Sequence, residues 1–170
     1  PIQLKRSMAP GEAQEMCWEV KNLSATSFSA GEVARQIRTS LARAGGDLAP
    51  EALILSRLTG EGGALSSDLA QAIENLGPGQ SALVRCRVEV AKDATPYTKA
   101  DLKVGLELAD IETGKPELIQ LRGVDIRIAQ TFRASDPPGF LLVTNNRTAR
   151  EEILAWQKLI AQTGRNLDVW

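Results

Sequence analysis

Ala82-Leu83-Val84-Arg85-Cys86-Arg87-Val88-Glu89-Val90 is the stretch whose reading decides the fold. Ala82, Val84, Cys86, Val88 and Val90 fall on one side, and Leu83, Arg85, Arg87 and Glu89 on the other. Successive side chains of a strand point to opposite faces, so this is a strand with one buried face. Working outward, the same rhythm recurs at Met16, Trp18 and Val20 against Glu15, Cys17, Glu19 and Lys21. It recurs at Leu102, Val104, Leu106 and Leu108, and in a long run from Leu118 to Phe132 with Val124, Ile126 and Ile128 inward. Gly123 breaks the alternation of that run, and a bulge is expected there. Ala34 to Arg43 fits a strand and a helix face alike; its neighbours favour the strand. Turn signals separate these runs at Gly45-Gly46, Gly60-Glu61-Gly62-Gly63, Asp93–Tyr97 and Glu112–Pro116. The pattern predicts a mainly β protein, an immunoglobulin-like antiparallel β-sandwich over residues 1–134.

The period changes at Asp136-Pro137-Pro138-Gly139, where successive prolines disfavour helix and central strand. Phe140-Leu141-Leu142-Val143 is a continuous apolar run of the kind buried on both faces. Thr148-Ala149-Arg150-Glu151 reads as a capping box, and Ile153, Trp156 and Ile160, with Leu159 beside them, form a helical stripe ending at Gly164. Leu167-Asp168-Val169-Trp170 reads as the next strand, so residues 139–170 are expected to form a right-handed β-α-β extension. One such unit cannot cover both faces of its strands. The expectation is that more chain follows, or that the unit docks on the sandwich or on another subunit. Pro1 and the residues after it carry no leader pattern, so a targeting segment is expected to be absent or removed.

Composition excludes several classes. The chain has 170 residues, with 20 Lys+Arg against 21 Asp+Glu and a net charge of −1, which gives no general attraction to nucleic acid. No run approaches the ~20 apolar residues of a membrane span. At 43% hydrophobic the chain can build a core rather than stay disordered. There is no histidine, which removes the commonest general base and the commonest metal ligand. No catalytic residue, metal site or cofactor is therefore expected.

Cys17 and Cys86 lie on strands of opposite parity, one sulfur outward and one inward, so no bridge between them is expected. The Gly60–Gly63 loop lacks the Lys-Ser/Thr signature of a phosphate cradle and reads as a hairpin connection. Asp47, Asp68, Asp93 and Asp110 stand in or beside turns without calcium-loop spacing. Arg85 and Arg87 are expected to pair with Glu19, Glu89 or Glu107 on a solvated face. Trp18 and Trp156 read as core anchors. Thr144, Asn145 and Asn146 sit where open α/β sheets take ligands, after a strand and before a helix; loop and capping roles account for the same residue types. Leu167, Val169 and Trp170 are the expected partner interface, Trp170 being the aromatic most exposed.

Two segments echo each other: Ala9-Pro10-Gly11-Glu12 before the strand at Glu15–Val20, and Gly77-Pro78-Gly79-Gln80 before Ala82–Val90. Each Pro-Gly pair suits a sharp reversal into a strand. With Trp18-Glu19-Val20-Lys21-Asn22 and Val88-Glu89-Val90, they resemble the bacterial immunoglobulin-like accessory domains of the CARDB and NEW3 type over residues 1–133. The resemblance implies a non-catalytic structural or protein-interaction module, possessing a protein partner or self-associating, within a larger bacterial assembly. The stretch from Phe140 resembles the first β-α-β of a Rossmann-like module without its glycine fingerprint. The alternative is thus an accessory domain followed by the start of a catalytic one.

Overall fold

The computed structural model describes residues 2–60, 63–130, 132–145 and 147–170. Its strands are β1 (Ile2–Gln3), β2 (Ser7–Met8), β3 (Ala13–Lys21), β4 (Ile37–Gly45), β5 (Leu53–Thr59), β6 (Ala64–Ser66), β7 (Ala70–Ile73), β8 (Ser81–Val90), β9 (Lys99–Ala109), β10 (Pro116–Ile128), β11 (Phe140–Leu142) and β12 (Leu167–Val169). One helix, α1, spans Arg150–Ala161. Two five-stranded sheets, ordered β1-β3-β8-β5-β6 and β2-β10-β9-β4-β7, enclose one core. The quartet β1-β3-β8-β5 facing β10-β9-β4 has the four-against-three strand order of an immunoglobulin-like sandwich. The inward residues meet between the sheets, with Met8, Met16, Val84, Val88, Leu102 and Ile126 almost wholly buried.

The two Pro-Gly turns frame the central pair. Gly11 and Gly79 sit at φ +79° and +75°, the left-handed region that glycine enters freely. Each turn closes from its fourth residue, the Glu12 amide donating to Ala9 O at 3.0 Å and the Gln80 amide to Gly77 O at 3.1 Å. The fourth side chain reaches back: Glu12 accepts from the Ala9 amide at 2.8 Å, and Gln80 from the Gly77 amide at 2.8 Å. β3 and β8 pair antiparallel from Ala13↔Glu89 to Lys21↔Ser81, so the turns lie at opposite ends of one ladder. Lys5, 2.6 Å from Glu12, and the Ala9 amide hold the Glu12 carboxyl below its ordinary pKa.

One polar relay crosses the core. Trp18 on β3 donates its indole N–H to Thr39 Oγ1 on β4 at 3.0 Å, and the Thr39 hydroxyl donates to Gly105 O on β9 at 3.0 Å. Trp18 and Thr39 are 5% and 1% exposed, so neither group has water as a substitute. Both cysteines are free, Cys86 buried and Cys17 half-buried on the outer face. β3 and β8 are neighbours in one sheet, so these residues cannot form the inter-sheet bridge of antibody domains. Burial pushes the Cys86 thiol up to about 11.

The structure corrects several expectations. The Val33–Arg35 segment is a 3₁₀ turn, and β4 starts only at Ile37. β10 ends at Ile128, short of Phe132, the Ala129 amide making a last bond to Met8 O of β2 at 2.8 Å. The register shift in β10 lies between Leu118 and Gln120, not at Gly123, which pairs regularly with Lys103. Arg85 pairs with Glu15 at 3.5 Å and Arg87 with Glu89 at 3.3 Å, not with Glu19 or Glu107. Gly60 and Gly63 turn β5 into β6, while Glu61 and Gly62 lie outside the described residues.

β11 and β12 pair in parallel through Phe140↔Leu167 to Leu142↔Val169, joined by α1, so the extension is a β-α-β unit. Only half of the capping box forms, one residue later than expected. Thr148 Oγ1 is occupied by the Asn145 amide at 3.1 Å, so Ala149 becomes the cap and Glu152 accepts its amide at 3.0 Å. The helix buries Ile153 and Ile160, whereas Trp156 is 48% exposed and no core anchor. Gly139 is required by close approach, since a Cβ there would fall on the Asn166 carbonyl.

Thr39→Val keeps the side-chain volume but strands the Trp18 N–H inside the core. A loss of about 1–3 kcal/mol in stability to urea is expected, with Thr39→Ser losing less; a Thr39→Val protein as stable as the parent would refute the relay's role.

Candidate functional site

Four of the six residues singled out from the sequence come together. Thr144, Asn145, Val169 and Trp170 line one cleft of about 440 Å³ between the β-α-β unit and the end of the sandwich. Arg127 and Ile128 of β10, with Tyr97, form its opposite wall. Leu167 faces a separate depression beside Pro10 and Ser135. Asn146 lies outside the described residues.

The polar groups of this cleft are largely engaged with one another. The Thr144 amide and hydroxyl both donate to Trp170 O, at 2.6 and 3.1 Å, and the Trp170 amide donates to Leu142 O at 2.9 Å. Asn145 Oδ1 accepts from the Arg147 amide at 2.8 Å, an Asx turn leading to the helix. Arg127 donates to Thr148 O at 3.3 Å and stands 3.6 Å from Asp125, which Arg6 approaches to 3.4 Å from its other oxygen. The Tyr97 hydroxyl donates to Gln130 at 2.9 Å, and burial pushes its pKa up. These bonds account for the types Thr and Asn at 144 and 145 by local structure.

Beside the Arg127–Thr148 bond, Asp168 ties the β-α-β unit to the linker before it. Its carboxylate accepts the Ser135 amide at 3.0 and 3.1 Å and the Ser135 hydroxyl at 2.5 Å. The hydroxyl first, then the amide, hold the Asp168 carboxyl below its ordinary pKa. The Asp168 carboxylate takes both the amide and the hydroxyl of Ser135, so the pair acts as a clasp on the backbone before β11. Among the described residues no three His, Cys, Asp or Glu side chains gather as metal ligands, and no helix is long and apolar enough to cross a membrane.

A second feature escaped sequence reasoning. β10 pairs with β9 along its whole length, but on its other side only Arg127 and Ile128 are covered, by β2. From Pro116 to Ile126 that side has no strand partner among the described residues. The reason is the opening of the chain: β1 joins one sheet at Trp18 and Cys17, then the backbone crosses at Leu4–Arg6 and joins the other as β2. Neither piece is long enough to cover both edges. The gap is a cleft of about 430 Å³ reaching between the sheets, with Trp18, Leu106 and Leu4 inside and Gln120, Arg122 and Lys21 at its rim. Leu118, Ile119 and Leu121 are 51–57% exposed along the edge. The signal in the sequence was the brevity of the Ile2–Arg6 alternation set against the length of the run after Pro116.

No family model matches this chain, and neither does any curated protein. Among solved structures it is similar, at 12% identity, to AvmM, which catalyses macrocyclization in alchivemycin A biosynthesis; the match covers 76% of this chain and 87% of that one with a TM-score of 0.47. It is also similar, at 12% identity, to the ASH/PapD-like domain 7 of human CEP192, over 77% of this chain and 85% of that one with a TM-score of 0.40.

A carboxylate whose pKa is lowered by folding stabilises above its unfolded value, and that contribution is lost as pH falls through the folded value. The Asp168 clasp should therefore hold at neutral pH and release in acid. Carboxyl NMR should show Asp168 titrating below an ordinary aspartate and moving up in Ser135→Ala; an ordinary value in the parent protein would contradict the clasp.

Proposed function

We propose that the chain is a non-catalytic protein-interaction module whose working surface is the open edge of β10. The single observation behind this reading is the unpaired stretch from Pro116 to Ile126 beside an apolar cleft. An exposed edge offers a row of backbone donors and acceptors, and an extended segment adds to it as a further strand. Alternation assigns the groups. Ile128 bonds toward β9, its amide to Thr98 O at 2.8 Å, while the Arg127 amide turns outward to Arg6 O at 2.7 Å. By the same period Asp125, Gly123 and Leu121 present their amides and carbonyls to the open side. Inward side chains of an added strand would enter the cleft over Trp18 and Leu106.

The sandwich at 1–134 is on this reading the interaction unit, and 139–170 an appended unit held by the Asp168 clasp. The resemblance to CARDB and NEW3 domains supports an accessory role in a larger assembly. A second reading, that β11-α1-β12 begins a Rossmann-like catalytic domain with the sandwich as its accessory, is favoured by one observation: Leu141, Val143 and Leu159 of that unit are 52–59% exposed, as in a layer awaiting further strands and helices.

Leu121→Pro deletes an edge-facing amide without removing a bond to β9, whereas Leu121→Ala keeps that amide. Panning the chain against a displayed library of short random peptides should enrich sequences with alternating apolar residues. Their capture should be lost in Leu121→Pro and kept in Leu121→Ala. Failure to enrich any sequence, or capture indifferent to Leu121→Pro, would overturn the proposal.

A further inference from the structure

The β10 edge is complementary to itself, and the geometry points to a second copy of this chain as its occupant, paired antiparallel about a two-fold axis between Ile119 and Gln120. This rests on the reading of β10 as an interaction edge and names the partner.

The sequence there is Pro116-Glu117-Leu118-Ile119-Gln120-Leu121-Arg122-Gly123. The register against β9 slips between Leu118, which faces Glu107, and Gln120, which faces Leu106. The slip changes parity, so Leu118 and Leu121, three positions apart, lie on the same outer face. Leu121 pairs with Gly105, and Leu118 also reaches Gly105, where a Cβ would touch its side chain at 3.6 Å. Glu117 and Arg122 then share the inner face, Arg122 lining the cleft.

In the two-fold arrangement Leu118 of one copy stands opposite Leu121 of the other, and Glu117 opposite Arg122. Faces match at both pairs: apolar against apolar outside, carboxylate against guanidinium inside, with Ile119 opposite Gln120 at the axis. Among the described residues neither Glu117 nor Arg122 has an ion-pair partner within the chain. Arg122 stands beside the Gln120 side-chain amide, whose oxygen accepts from the guanidinium at 3.0 and 3.2 Å once the amide is turned to satisfy both groups.

The bulge selects the register. An extra residue in one strand normally throws off an approaching partner, which is how bulges protect edges. When the partner is the same strand reversed about the bulge, the extra Ile119 of each copy faces Gln120 of the other, the two parity slips cancel, and the ladder stays in step on both sides. A straight strand gains nothing from this register, and neither does a copy centred on Leu121, which would set Glu117 against Asp125. The contact is isologous and closes at two copies, so it yields a dimer with one continuous ten-stranded sheet rather than a fibre.

The test is sedimentation equilibrium of the full chain from micromolar to submillimolar concentration. A monomer–dimer equilibrium is expected. Glu117→Arg alone and Arg122→Glu alone each turn two attractive pairs into two repulsive ones, and each should weaken the dimer about tenfold or more. The double exchange Glu117→Arg/Arg122→Glu should restore it. Both side chains are exposed, and circular dichroism checks that each of the three variants is folded. A monomer across the whole range, a dimer indifferent to the single exchanges, or losses that accumulate in the double variant would overturn the inference. A monomer that still captures peptides at β10 would overturn this inference alone; one that captures none would overturn the interaction reading as well.

Discussion

The hydrogen bonds from Trp18 to Thr39 and from Thr39 to Gly105 are the constraint on which the rest of the sandwich depends. They are a buried polar tie between sheets held largely by side-chain burial, deeper than the Arg57–Gln71 bond from β5 to β7 at 3.3 Å, and they fix which residues of β3, β4 and β9 face one another. Burial by itself is non-directional and would tolerate a shifted sheet. A buried indole N–H without its acceptor would not, because it has already lost water. The tie sits where an antibody domain places a disulfide, and the two cysteines of this chain are excluded from that task by parity and by lying on neighbouring strands of one sheet.

With the sheets fixed, the short first strands have a consequence. β1 and β2 divide one extended segment between the two sheets, which closes the sandwich at Met8 but leaves its flank open above. β10 therefore runs beyond its cover, and its outer amides face a cleft floored by the same Trp18 that anchors the relay. The structural anchor and the candidate binding groove share a residue, so stability and recognition are coupled at this flank. The β-α-β unit lies at the other end of β10, where Arg127 and Thr148 meet and Asp168 clasps Ser135.

Much of this was legible in the sequence. The alternation at 82–90, 15–21 and 102–108 marks strands because a half-buried strand must alternate, and the Pro-Gly pairs mark turns because glycine alone accepts the required φ without strain. The change of period after Pro137 likewise showed the helix and its parallel strands. What escaped depends on partners. Trp156 fits an apolar stripe, but the small sheet beneath α1 is too narrow to cover it. Thr148 fits a cap, but the Asn145 amide takes its hydroxyl. Gly123 invites a bulge, yet the slip falls at Leu118–Gln120, where Gly105 opposite leaves room for two leucines. The open edge was missed for the same reason: an unpaired strand reads like a paired one until its neighbours are placed, and only the shortness of the Ile2–Arg6 alternation hinted at it. Thr144 and Asn145, read as a ligand loop, and Val169 and Trp170, read as a partner surface, line one cleft that neither reading foresaw, while Leu167 lines another.

The central claim is that β10 is bonded on one side only. Amide hydrogen exchange, resolved by residue at a dilution where copies do not meet, tests it most directly. Arg122, Val124 and Ile126, whose amides point to β9, should exchange slowly, while Leu121, Gly123 and Asp125 between them exchange at rates near those of an open chain. Equal protection of both sets at that dilution would mean that the edge is covered within the chain itself, and would contradict the account.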